Sequence, residues 1–425
     1  MLVIEGAGAK TTVMRIPQND TQARSEILRL AAAHGLDVSG GRLRRTSSRF
    51  CLGVEHGDYN GTELFGVGTD RFIWLGWKPN QSDRIRLFSG NFPREGVVSF
   101  KTGRTPPARS PEIADTWARF PYGVDAILRR EGLAPARGLD AVLIGNIPGG
   151  GMSRSASLTL NLMLTMLEAN GLSLGKDRMR IIDLAQAVEN DYIGSPCGQL
   201  DQIMIYFAKA RMGTHYNPAN RSVKYVPLGS EAADFRIVSL DTGTVRPGLE
   251  KSTYRVRRAE CESLVEMASG EFGIRALADV RDRKLYRAIR DRFSASHPDL
   301  CDRLTYIFEA QARFSRMLKA WRAGDIEEVG AIFRADGVGL RDLYRISGPE
   351  LEAMCDIART VPGVLGERML GGGDKGASGA LVKAGSVPAL RKAVETAYPR
   401  SYPALADRFA VHECRVVDGV VEAKL

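Results

Sequence analysis

The sequence has few cysteines, and none of them lie close together. Six cysteines are scattered over 425 residues without a CxxC pair. Zinc sites are typically marked by closely spaced cysteine pairs, and disulfide frameworks are typical of small, cysteine-dense secreted domains. We therefore expect neither, and the pattern is typical of a protein that stays in a reducing cytoplasm.

Long apolar segments are absent as well. A helix needs about 20 apolar residues in a row to span a bilayer, and the longest charge-free apolar run, 158–167, is far shorter. The opening residues MLVIEGAGAKTT lack the basic region and apolar core of a secretory signal. We expect no membrane contact, and the apolar run predicts a buried helix.

Positive charge is in excess but is not clustered. The 59 Lys and Arg residues outnumber the 50 Asp and Glu residues, which gives a net charge of +9. Short basic runs, such as the one around Arg257, are typical of solvated surfaces. No nucleic-acid partner is expected, whereas a positive field suits an anionic nucleotide substrate.

Strand and helix patterns are intermixed without repeats, which predicts an α+β or mixed α/β fold with more than one packed unit. Residues 49–77 predict strands interrupted by a turn at 58–61, and residues 141–147 predict a short buried strand. Buried or amphipathic helices are expected at 155–170, ended by Gly171, and at 177–192.

The second half opens with a predicted strand at 236–240 and a long helix at 300–321. Capping motifs at Asp325 and Ser347 predict two further helix starts. Near the C-terminus, alternating residues around Asp418-Gly419 predict a β-hairpin. We place the two domains at 1–215 and 216–425.

The first chemical motif is PGGGMSRSAS, from Pro148 to Ser157, between a strand and a buried helix. Glycines allow close backbone approach, and free N–H groups at a helix start bind anions. The motif predicts a phosphate-binding loop, although a plain glycine-rich turn would have the same pattern. It is not a Walker loop, because no GK[ST] follows.

Three other segments carry polar groups. Glu189 ends a helix, and a Gly/Pro loop leads from it to Asp201. One carboxylate could bind Mg²⁺ and another could accept a proton from a sugar hydroxyl. The alternative is an ordinary acidic helix end followed by a loop. Glu55, His56, Asp58 and Asn60 are suited to binding sugar hydroxyls, or form a polar turn with a structural histidine. Residues 371–376 form a second glycine turn.

Taken in order, these segments resemble the galactokinase branch of the GHMP kinases, which also include homoserine and mevalonate kinases. The chain has SRFCLGVEHGDYNG where galactokinases show GRVNLIGEHTDYNGG, and PGGGMSRSAS where they show PLGGGLSSSAS. ENDYIGSPCGQLDQ follows the family's Glu-His-x-Phe-x-Gly-x-Pro-Cys-Gly-Ile-Met-Asp-Gln run without a gap. TYRVRRAEC, GERMLGGG and TWARFPYGV are similar to SEYNVRRAEC, GARMTGGG and TWVNYVKGV. The resemblance covers roughly residues 40 to 420.

The resemblance implies a two-domain α+β GHMP kinase fold with its active site in the cleft between the domains. It also implies an enzyme that uses ATP and Mg²⁺ to phosphorylate the anomeric hydroxyl of galactose or a closely related sugar, as a monomer or weak dimer. Asp201 would be the proton acceptor or orienting acceptor beside that hydroxyl, and Arg49 would lie near the γ-phosphate. The implied sugar contacts are Glu55, His56, Asp58, Gly198 and Tyr254. The implied nucleotide contacts are Gly149, Gly150, Gly151, Ser153, Ser155 and Trp117, and the implied Mg²⁺ ligands are Ser155 and Glu189.

The sequence departs from the family pattern at several positions. With Pro148 aligned to the family's proline, the phosphate loop is one residue shorter, and Arg154 replaces the middle serine of SSS. Arg154 would either add charge for the phosphates or block the site. Asp374-Lys375 replaces Phe-Gly, and Tyr306 lies near the position of a usual histidine.

These departures leave alternatives open. Some relatives of galactokinases are sugar sensors with a shortened phosphate loop, so a non-catalytic galactose- and ATP-binding sensor is the alternative of another class. Galacturonic acid, L-arabinose or an amino sugar are alternative substrates. Galactose fits best, because Glu55 would repel a C6 carboxylate and L-arabinose would leave Glu55 and His56 partly unpaired.

Overall fold

The computed structural model describes residues 14–245 and 252–425 of the chain. Within these residues the larger sheet has eight strands: β1 (Arg42–Gly53), β2 (Leu64–Pro79), β3 (Arg84–Ser89), β4 (Val97–Lys101), β5 (Leu139–Gly145), β6 (Met212–Asn217), β7 (Ser222–Pro227) and β12 (Val420–Lys424). Their order is β12-β1-β2-β5-β3-β4, with β6 paired to β2 and β7 to β6. β3 and β5 run parallel, and the other neighbours run antiparallel.

The smaller sheet has the order β11-β8-β10-β9. Its strands are β8 (Phe235–Asp241), β9 (Val364–Met369), β10 (Ala377–Lys383) and β11 (Ala410–Cys414), all antiparallel to their neighbours. The structure combines a mixed sheet, an antiparallel sheet and helical layers, which confirms the predicted α+β class.

Helices cover both sheets. They are α1 (Asp20–Ala33), α2 (Arg119–Arg130), α3 (Arg154–Ala169), α4 (Arg180–Ala187), α5 (Leu200–Tyr206), α6 (Thr253–Phe272), α7 (Arg283–Phe293), α8 (Pro298–Ala323), α9 (Ile326–Asp342), α10 (Pro349–Arg359) and α11 (Val387–Ser401). A π-helical turn, Val188–Ile193, continues α4. Among the described helices, none is long and apolar enough to cross a bilayer.

The expected helix ends are largely present. α3 is buried along most of its length and ends as predicted, with Gly171 at a φ of +63° and its N–H bonded to the Glu168 carbonyl at 3.0 Å. Asp325 caps α9 by accepting from the N–H of Glu328. The helix start predicted at Ser347 is also present, since α10 begins at Pro349, but its N-cap is Gly348 and the Ser347 hydroxyl donates to Glu352 instead.

The predicted C-terminal hairpin is wrong. β11 pairs with β8 in the smaller sheet, whereas β12 pairs with β1 in the larger sheet. Gly419 lies in the crossover, where its N–H donates to the Ala208 carbonyl at 3.1 Å and its carbonyl accepts from Ser47 at 2.7 Å. The Asp418-Gly419 segment therefore connects strands of two different sheets, because β11 and β12 each pair with a strand that is distant in the sequence.

One hydrophobic core joins the two halves around β1. The ring of Phe50 in β1 stacks on Phe333 in α9, with ring centres 5.2 Å apart. Both residues are fully buried. The division at 215/216 stays a prediction, since β6 spans it and both β6 and β7 belong to the larger sheet.

Candidate active site

A cavity of about 540 Å³ lies where β1, β5, α3 and the glycine turn after β9 meet. Of the residues to which the sequence analysis assigned a role, all but Asn60 line it: Arg49, Glu55, His56, Asp58, Trp117, Gly149, Gly150, Gly151, Ser153, Ser155, Glu189, Gly198, Asp201 and Tyr254. Asn60 does not line the cavity, and its amide donates to the His56 carbonyl at 2.8 Å. The tertiary structure thus brings together segments that are up to 205 positions apart along the chain.

The glycine-rich loop joins β5 to α3 along one wall. A Cβ on Gly150 would lie 2.4 Å from the Cα of Gly376, so the two glycine turns pack directly on each other. The carboxylate of Asp241 accepts hydrogen bonds from the N–H groups of Gly149 and Gly243, which anchors the loop to the end of β8. Ser153 has a φ of +59°, and its buried hydroxyl has no hydrogen-bond partner among the described residues.

Arg49 and Asp201 form the centre of the site. Arg49 donates from Nε to Oδ1 of Asp201 at 2.7 Å and from Nη1 to the Gly151 carbonyl at 3.1 Å. Burial opposes the charge of Arg49, but the carboxylates of Asp201 and Glu55 raise its pKa above the ordinary value. The arginine therefore links the proposed proton acceptor directly to the phosphate loop.

Glu55 lies between two buried arginines. One carboxylate oxygen is 3.6 Å from Nη2 of Arg49, and the other accepts from Nη2 of Arg368 at 3.2 Å. Arg368 also donates to the Cys51 carbonyl at 2.9 Å, and its guanidinium lies 4.5 Å from the ring centre of Phe333. Burial raises the pKa of Glu55, and both arginines oppose that rise.

The sequence analysis assigned no role to Arg368. The available signal was an arginine at the end of an apolar strand, immediately before the glycine turn in GERMLGGG. Its pairing with Glu55, 313 positions away, is not visible in any local pattern.

The residues that the sequence analysis predicts to bind a sugar line one cavity together. Asp58 accepts from the N–H of Leu200 at 3.2 Å and packs against Gly198, where a Cβ would be 1.8 Å from its carboxylate oxygen. Burial raises the pKa of Asp58 to about 6. The ring of His56 lies 5.4 Å from that of Tyr254, and its Nδ1 is 3.0 Å from the hydroxyl of Tyr59.

Glu189 and Ser155 lie deeper, beside the phosphate loop. Gln202 donates to Glu189 at 3.2 Å, and the Ser155 hydroxyl also binds this carboxylate. Burial raises the pKa of Glu189 to about 7, and the charge of Asp201 adds to the rise. The π-helical turn that carries Glu189 directs it inward, as such turns often do at functional sites.

Trp117, which also lines the cavity, is almost fully buried, and its backbone N–H donates to Glu95 at 3.3 Å. Trp117 Nε1 has no hydrogen-bond partner among the described residues. The cavity is also lined by Asn91, Phe92, Thr116, Arg119, Phe120 and Arg154. The aromatic rings of Trp117, Phe92 and Phe120 among these polar side chains suit a flat heterocycle.

The residues that depart from the family pattern have different locations. Tyr306 donates its hydroxyl to the Glu55 carbonyl at 2.9 Å and so supports the backbone that carries Glu55. Asp374 accepts from the N–H of Thr253 at 2.9 Å, and Lys375 pairs with Glu350 at 2.7 Å. These contacts give Asp374 and Lys375 structural partners, whereas Arg154 faces the cavity.

Residues 120–209 match the family model described as GHMP kinases N terminal domain. The chain is also 31% identical to the galactokinase of Chloroflexus aurantiacus over 362 residues, which cover 84% of this chain and 88% of that protein. This chain belongs to the galactokinase family. Membership confirms the predicted resemblance and the predicted class of enzyme, a phosphotransferase with an alcohol group as acceptor.

Solved structures agree with this membership. The crystal structure of Lactococcus lactis galactokinase complexed with galactose has a TM-score of 0.82 to this fold at 26% identity, and the match covers 94% of this chain and 99% of that chain. Methanococcus jannaschii mevalonate kinase shares the fold at 15% identity, with a TM-score of 0.59 and coverage of 88% and 98%. The galactokinase-family chain thus has the GHMP kinase fold.

Within residues 14–245 and 252–425, no group of three or more His, Cys, Asp or Glu side chains could hold a metal ion. Glu189 and Ser155 offer one carboxylate and one hydroxyl on the same wall as the phosphate loop. Mg²⁺ is commonly bound by one or two protein groups, with phosphate oxygens and waters in the remaining positions. The residues present therefore fit Mg²⁺ that arrives with a nucleotide.

Proposed function

We propose that this galactokinase-family chain transfers the γ-phosphate of ATP to the anomeric hydroxyl of galactose. The observation that carries the proposal is the hydrogen bond between Arg49 and Asp201, because it lies between the phosphate loop and the sugar end of one cavity. A phosphoryl donor and a sugar hydroxyl bound at the two ends would meet at this pair.

Asp201 is the proposed proton acceptor. Its side chain is 33% exposed, toward the cavity, so one carboxylate oxygen can reach a bound hydroxyl while Oδ1 is held by Arg49. Arg49 fixes the orientation of that carboxylate and places positive charge where the transferring phosphoryl group gains negative charge. Phosphoryl transfer depends mainly on such positioning and charge stabilisation.

The donor is proposed to bind along the other wall. The N–H groups of Gly149, Gly150 and Gly151 and the hydroxyl of Ser153 are suited to its phosphates, and Trp117 to its base. Ser155 and Glu189 would hold Mg²⁺, which when bound neutralises phosphate charge. A nearby cation favours the ionised form of Glu189, whose pKa of about 7 otherwise leaves it partly protonated at neutral pH.

Galactose is the proposed acceptor because the sugar end offers several hydrogen-bonding groups: Glu55, His56, Asp58, the backbone at Gly198 and Tyr254. The galactose complex of the Lactococcus lactis enzyme supports this choice. The charge of Glu55 is compensated by Arg49 and Arg368, so repulsion of a C6 carboxylate is weaker than the sequence suggested. Galacturonic acid therefore belongs in the test, with L-arabinose and amino sugars.

We also infer that the protein acts in the cytoplasm, as a monomer or weak dimer. All six cysteines lie in the described ranges, are buried and form no disulfide, which suits a reducing compartment.

The deciding experiment is a coupled ADP-release assay with galactose, galacturonic acid, L-arabinose and galactosamine, with the product identified by NMR. ADP formed in equal amount with galactose 1-phosphate supports the proposal, and Asp201→Asn serves as the inactive control. Binding of galactose without turnover on any sugar would instead assign the chain to the sensor class.

A further inference from the structure

Two arginines line the nucleotide end of the cavity in addition to the phosphate loop. Arg119 is the first residue of α2, and Arg154 is the first residue of α3. In the family segments quoted above, asparagine stands at the position of Arg119 and serine at that of Arg154. Two separate departures from the family pattern thus add positive charge to the same cavity.

Arg154 directly follows the phosphate loop, at the start of α3. Its side chain is exposed to the cavity and forms neither a hydrogen bond nor an ion pair among the described residues. Its guanidinium lies 5.9 Å from the ring centre of Phe92. Its charge also acts on Asp241, the residue that anchors Gly149.

Arg119 is partly buried at the start of α2. It donates from Nη1 to the Ala114 carbonyl at 2.7 Å, while its buried Nε has no partner among the described residues. Its positive charge opposes the rise in the pKa of Glu189 that burial causes. The two guanidinium groups therefore act on different carboxylates of the site, Arg154 on Asp241 and Arg119 on Glu189.

Neither guanidinium has a carboxylate within ion-pair distance in the part of the chain that the structure describes. Cations that are partly removed from water without a counter-charge are unfavourable, and a bound polyanion removes that cost. Guanidinium groups also match phosphate geometry through paired hydrogen bonds.

We propose that Arg119 and Arg154 form a two-arginine clamp on the polyphosphate chain of the donor. The proposal rests on the proposed function in taking a nucleoside triphosphate as the donor. The clamp supplies two positive charges from the protein itself. ATP binding therefore depends less on Mg²⁺ than it would if the phosphate loop alone bound the phosphates. It also gives the site affinity for inorganic tripolyphosphate, which has the charges but no nucleoside.

The test is calorimetric titration of the full chain and of Arg119→Asn, Arg154→Ser and the double variant. ATP, inorganic tripolyphosphate and adenosine are titrated in EDTA, and ATP again with Mg²⁺. Each single variant is expected to bind ATP and tripolyphosphate about tenfold more weakly, as one lost charge-assisted contact predicts. Adenosine affinity is expected to stay unchanged, and the salt dependence of ATP binding to become shallower.

Arg287→Ser is the matched control, because Arg287 is an exposed arginine on α7 that does not line the cavity. Arg119→Lys and Arg154→Lys keep the charge and replace any neutral variant that fails to fold. They are expected to retain more ATP affinity than the neutral variants but less than the parent.

Unchanged ATP affinity in both neutral variants would overturn the clamp. So would tighter ATP binding by Arg154→Ser, which would mean that the arginine blocks the loop, or a parallel loss of adenosine affinity, which would place the arginines at the base. Failure of the proposed function is distinguishable: the parent would then transfer no phosphate to any sugar, while the titrations still followed the expected pattern.

Discussion

Arg49 and Asp201 share a hydrogen bond of 2.7 Å although they are 152 positions apart in the chain. The arginine is 2% exposed and the aspartate 33%, so a fixed cation holds a carboxylate that still faces the cavity. β1 supplies the arginine and the first turn of α5 supplies the aspartate. Their packing creates an acceptor of fixed orientation, on which the first prediction rests.

Asp201→Asn is expected to remove most turnover and leave the fold intact. The amide keeps the size of the side chain and can still accept from Arg49, but it cannot accept the anomeric proton. Loss of a positioned base typically costs about 10² to 10⁴ in rate. Steady-state kinetics with thermal unfolding as the folding control checks this, and a folded variant with near-parental kcat would contradict the assignment.

Glu189→Ala is expected to weaken Mg²⁺-dependent activity, with a loss of apparent Mg²⁺ affinity of about 10- to 100-fold. Galactose binding should survive, because Glu189 lies beside the phosphate loop. Calorimetric titration with galactose separates the two effects, and Glu189→Gln is the control of equal size. Equal loss of sugar and metal affinity would show that Glu189 acts on the structure of the whole site.

Asp58→Asn is expected to change the pH dependence of stability. Burial raises the pKa of Asp58 from 3.8 to about 6, so the folded state holds this proton more tightly than the unfolded chain. The free energy of unfolding therefore falls as pH rises from about 4 to about 6 and stays lower above that range. The asparagine of Asp58→Asn does not titrate, so the variant does not lose this part of the free energy of unfolding as pH rises.

The variant should gain about 1 to 3 kcal/mol relative to the parent between about pH 4 and pH 7, since one pKa unit corresponds to about 1.4 kcal/mol. Urea unfolding at both pH values measures the difference. Asp407→Asn, at an exposed position, is the control. If the free energies of unfolding of Asp58→Asn and the parent differed by the same amount at both pH values, the pKa of Asp58 would not be raised.

Gly150→Ala is expected to destabilise the protein and weaken nucleotide binding, whereas Gly149→Ala should have little effect on stability. The added Cβ at Gly150 would lie 2.4 Å from backbone of Gly376, but the one at Gly149 would meet nothing within 4 Å. Forced separation of packed segments typically costs about 1 to 3 kcal/mol. Urea unfolding compares the two variants, and equal stabilities would show that the glycine turns do not depend on this contact.

Much of the local structure could be predicted from the sequence. A stretch that is apolar nearly all round and stops at Gly171 predicted α3 and its end, and Asp325 predicted the start of α9. These features depend on backbone preferences and on contacts within a few residues, which a sequence pattern records directly. The sequence motifs identified the candidate residues of the cavity. Their spacing left the roles of these residues open, and the resemblance to the family supplied those roles.

Only the tertiary structure decided which distant groups share an environment. Asp418-Gly419 has the pattern of a hairpin turn, yet β11 pairs with β8 and β12 with β1, so the two strands belong to different sheets. The motif around Glu55 predicts a contact with a sugar. In the structure Glu55 pairs with Arg368, which lies in the other half of the chain. Arg119 and Arg154 belong to unrelated segments, but the packing of α2 beside α3 places both at one cavity. Burial and electrostatic pairing between remote segments set these outcomes, and neither leaves a local trace in the sequence.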